Sequence, residues 1–156
     1  MSSKRQQKRP KVLLFDLGGV IVRWIGLDAL SQITGKLRED VVDIFASSDV
    51  FTAYEIGACD DGTFINELIT VFGLDVTPDE ASLLWQKWVG QTYVGTKAAL
   101  LKLHKNYVTA CLSNTNALHW AWLPKHIDME KHFEYRYASH IIGCLLYTSP
   151  SPRDRG

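Results

Sequence analysis

An aspartate closes an apolar run and opens onto two glycines: residues 12–19 read VLLFDLGG, with Asp16 at the junction. A continuous apolar run of this kind suits a strand buried on both faces, and its last residue stands at the sheet edge where open α/β sheets place their ligands. The amides of Leu17, Gly18 and Gly19 can wrap an anion there, because glycine permits close approach and unusual dihedrals. An aspartate in a turn also serves as a structural cap, and the local pattern fits both roles. A second apolar run, YVTACLSN over 107–114, leads into Ser113-Asn114-Thr115-Asn116. Alone, that stretch reads as a loop with a helix cap. Beside Asp16 in a parallel sheet, it would offer hydroxyls and amides to the same anion. A carboxylate facing neutral donors can be a covalent nucleophile toward phosphorus, provided that a cation offsets the repulsion between two anions. Magnesium suits, because oxygen ligands satisfy it and it keeps waters.

Both points depend on the chain between them. From about Trp24 to Gly90 the pattern changes to helical periods: LDALSQI, EDVVDIFA, TFINELITVF and PDEASLLWQKWV. In the third, Phe64, Leu68 and Val71 or Phe72 form one stripe; in the fourth, Leu83, Leu84 and Trp88 do. Thr77-Pro78 with Asp79 and Glu80 is a helix start, Asp60-Asp61 suits the start of the preceding helix, and Gly73 ends that helix. No strand of quality is expected inside this stretch, which reads as one helical module. A helix over Thr96 to His104, the strand at 107–114 and a third extended run, FEYRYAS at 133–139, complete the order. Strand, helical insert, helix, strand is what a parallel crossover requires, so the fold class is α/β.

Composition narrows the function classes. Lys and Arg number 17, as do Asp and Glu, but residues 12–156 hold 12 basic against 17 acidic side chains, a net charge of −5. That balance argues against a nucleic-acid-binding body. The basic run in residues 1–10 reads as a solvated, disordered tail. Cys59, Cys111 and Cys144 are scattered, with no CxxC pair for zinc or redox cycling, which fits a reducing compartment and a cytoplasmic location. No apolar run reaches the length of a membrane span. His104, His119, His126, His132 and His140 show no metal-binding spacing. Trp85, Trp88, Trp120 and Trp122 read mostly as core or cap-interface aromatics.

FDLGGVIV at 15–22 together with LSNTNALHWAWLP at 112–124 resembles the haloacid dehalogenase-like hydrolases. Within them it is most similar to the small bacterial sugar-phosphate phosphatases, a subgroup that includes an α-glucose-1-phosphate phosphatase. The resemblance covers about residues 11–143 and implies an incomplete Rossmann-like parallel core over 11–23 and 91–143, with an α-helical cap over 24–90. It implies magnesium-dependent hydrolysis of a phosphomonoester through an aspartyl-phosphate on Asp16, whose other oxygen binds the metal alongside the Gly18 carbonyl. Ser113 and the backbone of Asn114 would bind the phosphoryl oxygens. Tyr54-Glu55-Ile56-Gly57 looks like the cap pattern, with Glu55 a candidate contact to a substrate hydroxyl and His119 another contact or a positioner of the loop. A solvated helix carboxylate and a core histidine are the plainer readings of these two. The partner implied is a small phosphorylated metabolite, with no nucleic acid and no membrane; the oligomeric state is left open.

Three departures stand out. Gly18 occupies the position where most phosphatases of the superfamily carry a second aspartate, the general acid and base; the sugar-phosphate subgroup resembles this chain in having glycine there. After Gly143 the family expects Lys-Pro, but Cys144-Leu145-Leu146 follows, and no lysine occurs after Lys131. The later strand ending in paired metal-binding acids is also missing, since the only acid after Glu134 is Asp154. CLLYTSPSPRDRG at 144–156 has no periodicity and no packable face, and resembles a translated adapter or vector run. The expectation is therefore an interrupted phosphatase, a fragment with little or no activity. The alternatives are a non-catalytic anion-binding or dimerising protein and a metal-independent dehalogenase using the same aspartate on carbon.

Overall fold

The computed structural model describes residues 11–146; the basic run at 1–10 and residues 147–156 of the adapter-like run lie outside the described residues. The chain runs β1 (Val12–Phe15), β2 (Val22–Trp24), α1 (Gly26–Thr34), α2 (Arg38–Ser47), α3 (Asp49–Glu55), α4 (Asp61–Phe72), α5 (Pro78–Lys87) and β3 (Val89–Thr92). It continues with α6 (Thr96–His104), β4 (Val108–Ser113), α7 (Ala117–Trp122), a 3-10 turn (Leu123–Lys125), α8 (Met129–His132), β5 (Tyr135–Ala138) and α9 (Ser139–Ile142). The fold is α/β. Strands β1, β4 and β5 form a parallel sheet in that order, with Phe15 opposite Cys111 and Ser113 opposite Ala138.

The helix boundaries follow local chemistry. Thr77 and Glu80 form a reciprocal capping box ahead of Pro78 in α5, Asp60 accepts the Thr63 amide at the start of α4, and Gly73 closes α4 in a left-handed conformation. Each satisfies donors or acceptors that a helix end leaves bare. Phe64, Leu68 and Phe72 are buried together as the period required, while Val71 packs only partly. They meet Leu30, Val41, Phe51 and Trp85 in an apolar cluster within the inserted helices. A second cluster, containing Cys111, Leu100, Ile127 and Phe133, lies under one face of the sheet. Each large side chain so buried contributes about 1.5–3 kcal/mol before entropy is counted.

The structure corrects or extends the sequence reading at four points. The α5 stripe is Ala81, Trp85 and Trp88; Leu83 is 45% exposed, because the tertiary contact turns the helix toward Trp85. A short helix, α3, adds to the helical stretch between the second and third periodic runs, started by Ser48, whose hydroxyl accepts the Phe51 amide. A strand, β3, begins at Val89 inside the stretch read as purely helical and pairs antiparallel with β2. Only that distant partner makes Val89–Thr92 a strand, so local pattern was silent. Finally, residues 144–146 are not without contacts: Leu146 donates its amide to Asn114 Oδ1 at 2.9 Å, and Leu145 reaches the cavity described next.

Candidate active site

The parallel pairing of β1 with β4 brings two sequence-distant turns to one sheet edge. Asp16 follows β1 directly, and Ser113 is the last residue of β4. The Ser113 hydroxyl donates to Asp16 Oδ1 at 2.8 Å, and the Leu17 amide donates to the same oxygen at 2.6 Å. Asp16 Oδ2 accepts no hydrogen bond from any described residue. The carboxylate is thus anchored through one oxygen and presents the other. The turn beyond it closes on itself: Ile21 and Val22 donate their amides to the Leu17 carbonyl, and Gly19 donates to Val22 at 2.9 Å. Gly19 has φ +76°, a conformation that a side chain would strain. The sheet thereby holds Asp16 at its carboxyl-terminal edge, the place expected for a ligand.

A cavity of about 590 Å³ opens over this edge, lined by Asp16, Gly18, Ser113 and Asn114 on the core side and by α2 and α3 on the other. Glu55, at the end of α3, faces it. Its carboxyl opens to the cavity, yet the surrounding apolar walls desolvate it and push its pKa up. No lysine or arginine is among the lining residues described.

His119 also reaches the cavity, but its polar atoms are engaged elsewhere. Its Nε2 lies 2.8 Å from the Trp85 carbonyl, its Nδ1 lies 3.2 Å from Asn116 Nδ2, and its ring stacks on Trp85 at 4.7 Å. This pairing requires the neutral tautomer with the proton on Nε2. Burial pushes its pKa down to about 4. Asn116 Oδ1 accepts from the His119 amide at 3.0 Å and from Trp85 Nε1 at 3.3 Å, and it starts α7. Trp85, Asn116 and His119 therefore clasp α5 to the loop after β4. A second tie runs from α3, where the Tyr54 hydroxyl donates to Asp61 at 2.6 Å and lies 3.4 Å from the Leu118 amide. The sequence places His119 near the loop but does not reveal the clasp; the helix cap expected within residues 113–116, which the structure assigns to Asn116, is its visible half.

The family resemblance of the two sequence motifs implies magnesium. The hard oxygen donors at hand are the Asp16 carboxylate and the Gly18 carbonyl, which accepts no hydrogen bond in the turn among the described residues. These two suit a small divalent cation that keeps most of its waters and takes further oxygens from a phosphate. No group of three or more His, Cys, Asp or Glu able to hold a metal occurs among the described residues, so the paired acids are not replaced from elsewhere there.

No family model matches the chain. Its fold is shared with a crystal structure of a haloacid dehalogenase family enzyme from Bacteroides thetaiotaomicron in complex with magnesium and inorganic phosphate. The TM-score is 0.71 and the identity 25%, over 88% of this chain and 73% of that one. A predicted hydrolase of the same type from Porphyromonas gingivalis shares the fold at TM-score 0.66 and 21% identity, over 88% of this chain and 70% of that one. The parallel sheet and the inserted helices are those of a haloacid dehalogenase-like fold, with Asp16 and Ser113 meeting at the sheet edge. In sequence it is similar to a D-ribitol-5-phosphate phosphatase of B. thetaiotaomicron, at 28% identity over 152 residues, 91% of this chain and 72% of that protein. No helix among the described residues is long and apolar enough to cross a membrane.

Proposed function

We propose that this is the nucleophile-bearing part of a magnesium-dependent phosphomonoester hydrolase acting on a small phosphorylated metabolite. The observation that carries this is the 2.8 Å contact between Ser113 Oγ and Asp16 Oδ1, which joins a carboxylate and a neutral donor at one sheet edge. Asp16 Oδ2 attacks phosphorus, the bond from phosphorus to the ester oxygen breaks, and the leaving alkoxide takes a proton from water. Water then attacks the aspartyl-phosphate, releasing inorganic phosphate and restoring the carboxylate. The Ser113 hydroxyl turns from Asp16 to a phosphoryl oxygen, and the Asn114 amide adds a second donor. Magnesium, when held by Asp16 and the Gly18 carbonyl, offsets the repulsion between carboxylate and phosphate. The inserted helices, residues 24–90, act as the cap that excludes bulk water.

Gly18 has no proton to give, so departure of the alkoxide relies on water and is slowed by one or two orders of magnitude, roughly what general acid catalysis contributes at its low end. With no lysine or arginine on the described cavity wall, turnover in this chain is very low. The similar protein is named for a polyol phosphate, D-ribitol 5-phosphate, and that ester is one substrate for the assay. The test is a sensitive phosphate-release assay with magnesium on the wild type and on Asp16→Asn. Slow release that the substitution abolishes is expected; release at an unchanged rate in Asp16→Asn would sink the nucleophile assignment.

A further inference from the structure

The cavity over Asp16 changes character from floor to roof. Its floor is polar, with Asp16, Ser113 and Asn114. The roof, supplied by β2, α1, α2 and α3, presents Trp24, Leu27, Val42, Phe45, Ala46 and Phe51. Only Thr52 and Glu55 break it. Its accessible part mixes apolar Trp24, Val42 and Ala46, the first two 38% and 37% exposed, with Thr52 and Glu55. Several polar groups of the core wall are already engaged. Asn116 Oδ1 serves Trp85 and His119, and Asn114 Oδ1 serves the Leu146 amide. A polyol entering this space would strip water from several hydroxyls and find few donors or acceptors in return, which weakens binding. An aromatic ring or branched alkyl group gains from the same wall.

The geometry points to a phosphomonoester whose organic body is apolar, aromatic by preference, with its phosphate at Asp16 and Ser113 and its body against the cap wall. The inference rests on the phosphatase reading for the phosphate end and departs from a polyol for the other.

Its test is tryptophan fluorescence of the whole chain, because Trp24 and Trp85 line the cavity. In the presence of magnesium the protein is titrated separately with inorganic phosphate, phenyl phosphate, ribitol 5-phosphate and benzyl alcohol. Phenyl phosphate should bind about tenfold or more tightly than inorganic phosphate, the gain expected from burying a ring, and ribitol 5-phosphate should gain far less. Val42→Asn, or Ala46→Asn if the first fails to fold, should weaken phenyl phosphate several-fold and leave inorganic phosphate unchanged. If inorganic phosphate binds and ribitol 5-phosphate binds as tightly as phenyl phosphate, the apolar body is overturned and the phosphatase reading stands. If benzyl alcohol binds, is weakened by Val42→Asn, and inorganic phosphate does not bind, the apolar wall is upheld and the phosphatase reading falls. No response to any of the four overturns both.

Discussion

The Ser113 hydroxyl has one proton to donate, and its short hydrogen bond, 2.8 Å, goes to Asp16 Oδ1. Removing it in Ser113→Ala leaves that oxygen with the Leu17 amide at 2.6 Å, so the turn keeps a support. The loss should be felt in the transition state instead: about 2–3 kcal/mol, the usual cost of deleting one oxyanion donor. Phosphate-release rates compared with urea midpoints for wild type and Ser113→Ala check this. A fall in stability without a fall in rate would make Ser113 a structural residue. The Asp16 motif and the Ser113 loop were both legible in the sequence. That one hydroxyl faces one particular carboxylate oxygen was not, because it depends on the register of β1 against β4.

Between elements, the docking of the inserted helices on the sheet and its helices depends on close approaches and on one neutral histidine. Gly57, at the loop after α3, has φ +72°, and a Cβ there would lie 2.2 Å from the His140 carbonyl of α9. Gly57→Ala should therefore cost about 2 kcal/mol or more, from strain and from the displaced contact together. Urea unfolding measures it, and an unchanged midpoint would mean that the loop does not sit against α9. His119 sets a pH dependence. Its folded-state pKa of about 4 lies below the free value of 6.5, so between the two the unfolded chain takes up a proton that the folded chain refuses. Stability contributed by the neutral ring is full above about 6.5 and is lost as pH falls toward 4, by on the order of 3 kcal/mol. His126, His132 and His140, whose pKa values are also lowered by burial, act in the same direction. Unfolding curves at pH 7 and pH 5 should show the loss, and His119→Gln should flatten the slope between them. An equal slope in that variant would remove His119 as its cause.

Across the molecule, the described elements cover one face of the sheet and leave the other open. Phe15 packs on Phe133 on the covered side, at 6.1 Å between ring centroids. On the opposite side Val12 and Leu14 are 53% and 58% exposed, and the pairing register sets Tyr135 and Tyr137 on that same face. No described element covers it, whereas a parallel sheet ordinarily buries both faces. An exposed apolar patch of this kind binds hydrophobic dyes. The folded protein should enhance anilinonaphthalene sulfonate emission, and Leu14→Thr should lower that signal while changing stability by less than about 1 kcal/mol. Emission no greater than that of a well-covered protein of similar size would show that the face is shielded.

The amino-acid sequence by itself determined what is local. The apolar run ending at Asp16, the helix start at Thr77, the period of α4 and the small polar stretch after Leu112 each arise from residues within a turn or two of one another. Tertiary structure decided whatever depends on partners far along the chain. It made Val89–Thr92 a strand by pairing it with β2, turned Trp85 rather than Leu83 inward, and closed the clasp of Trp85, Asn116 and His119. It also gave the cavity its floor and roof: Asp16 and Ser113, 97 residues apart, meet only when β1 and β4 pair, and the roof comes from the inserted helices folded over them.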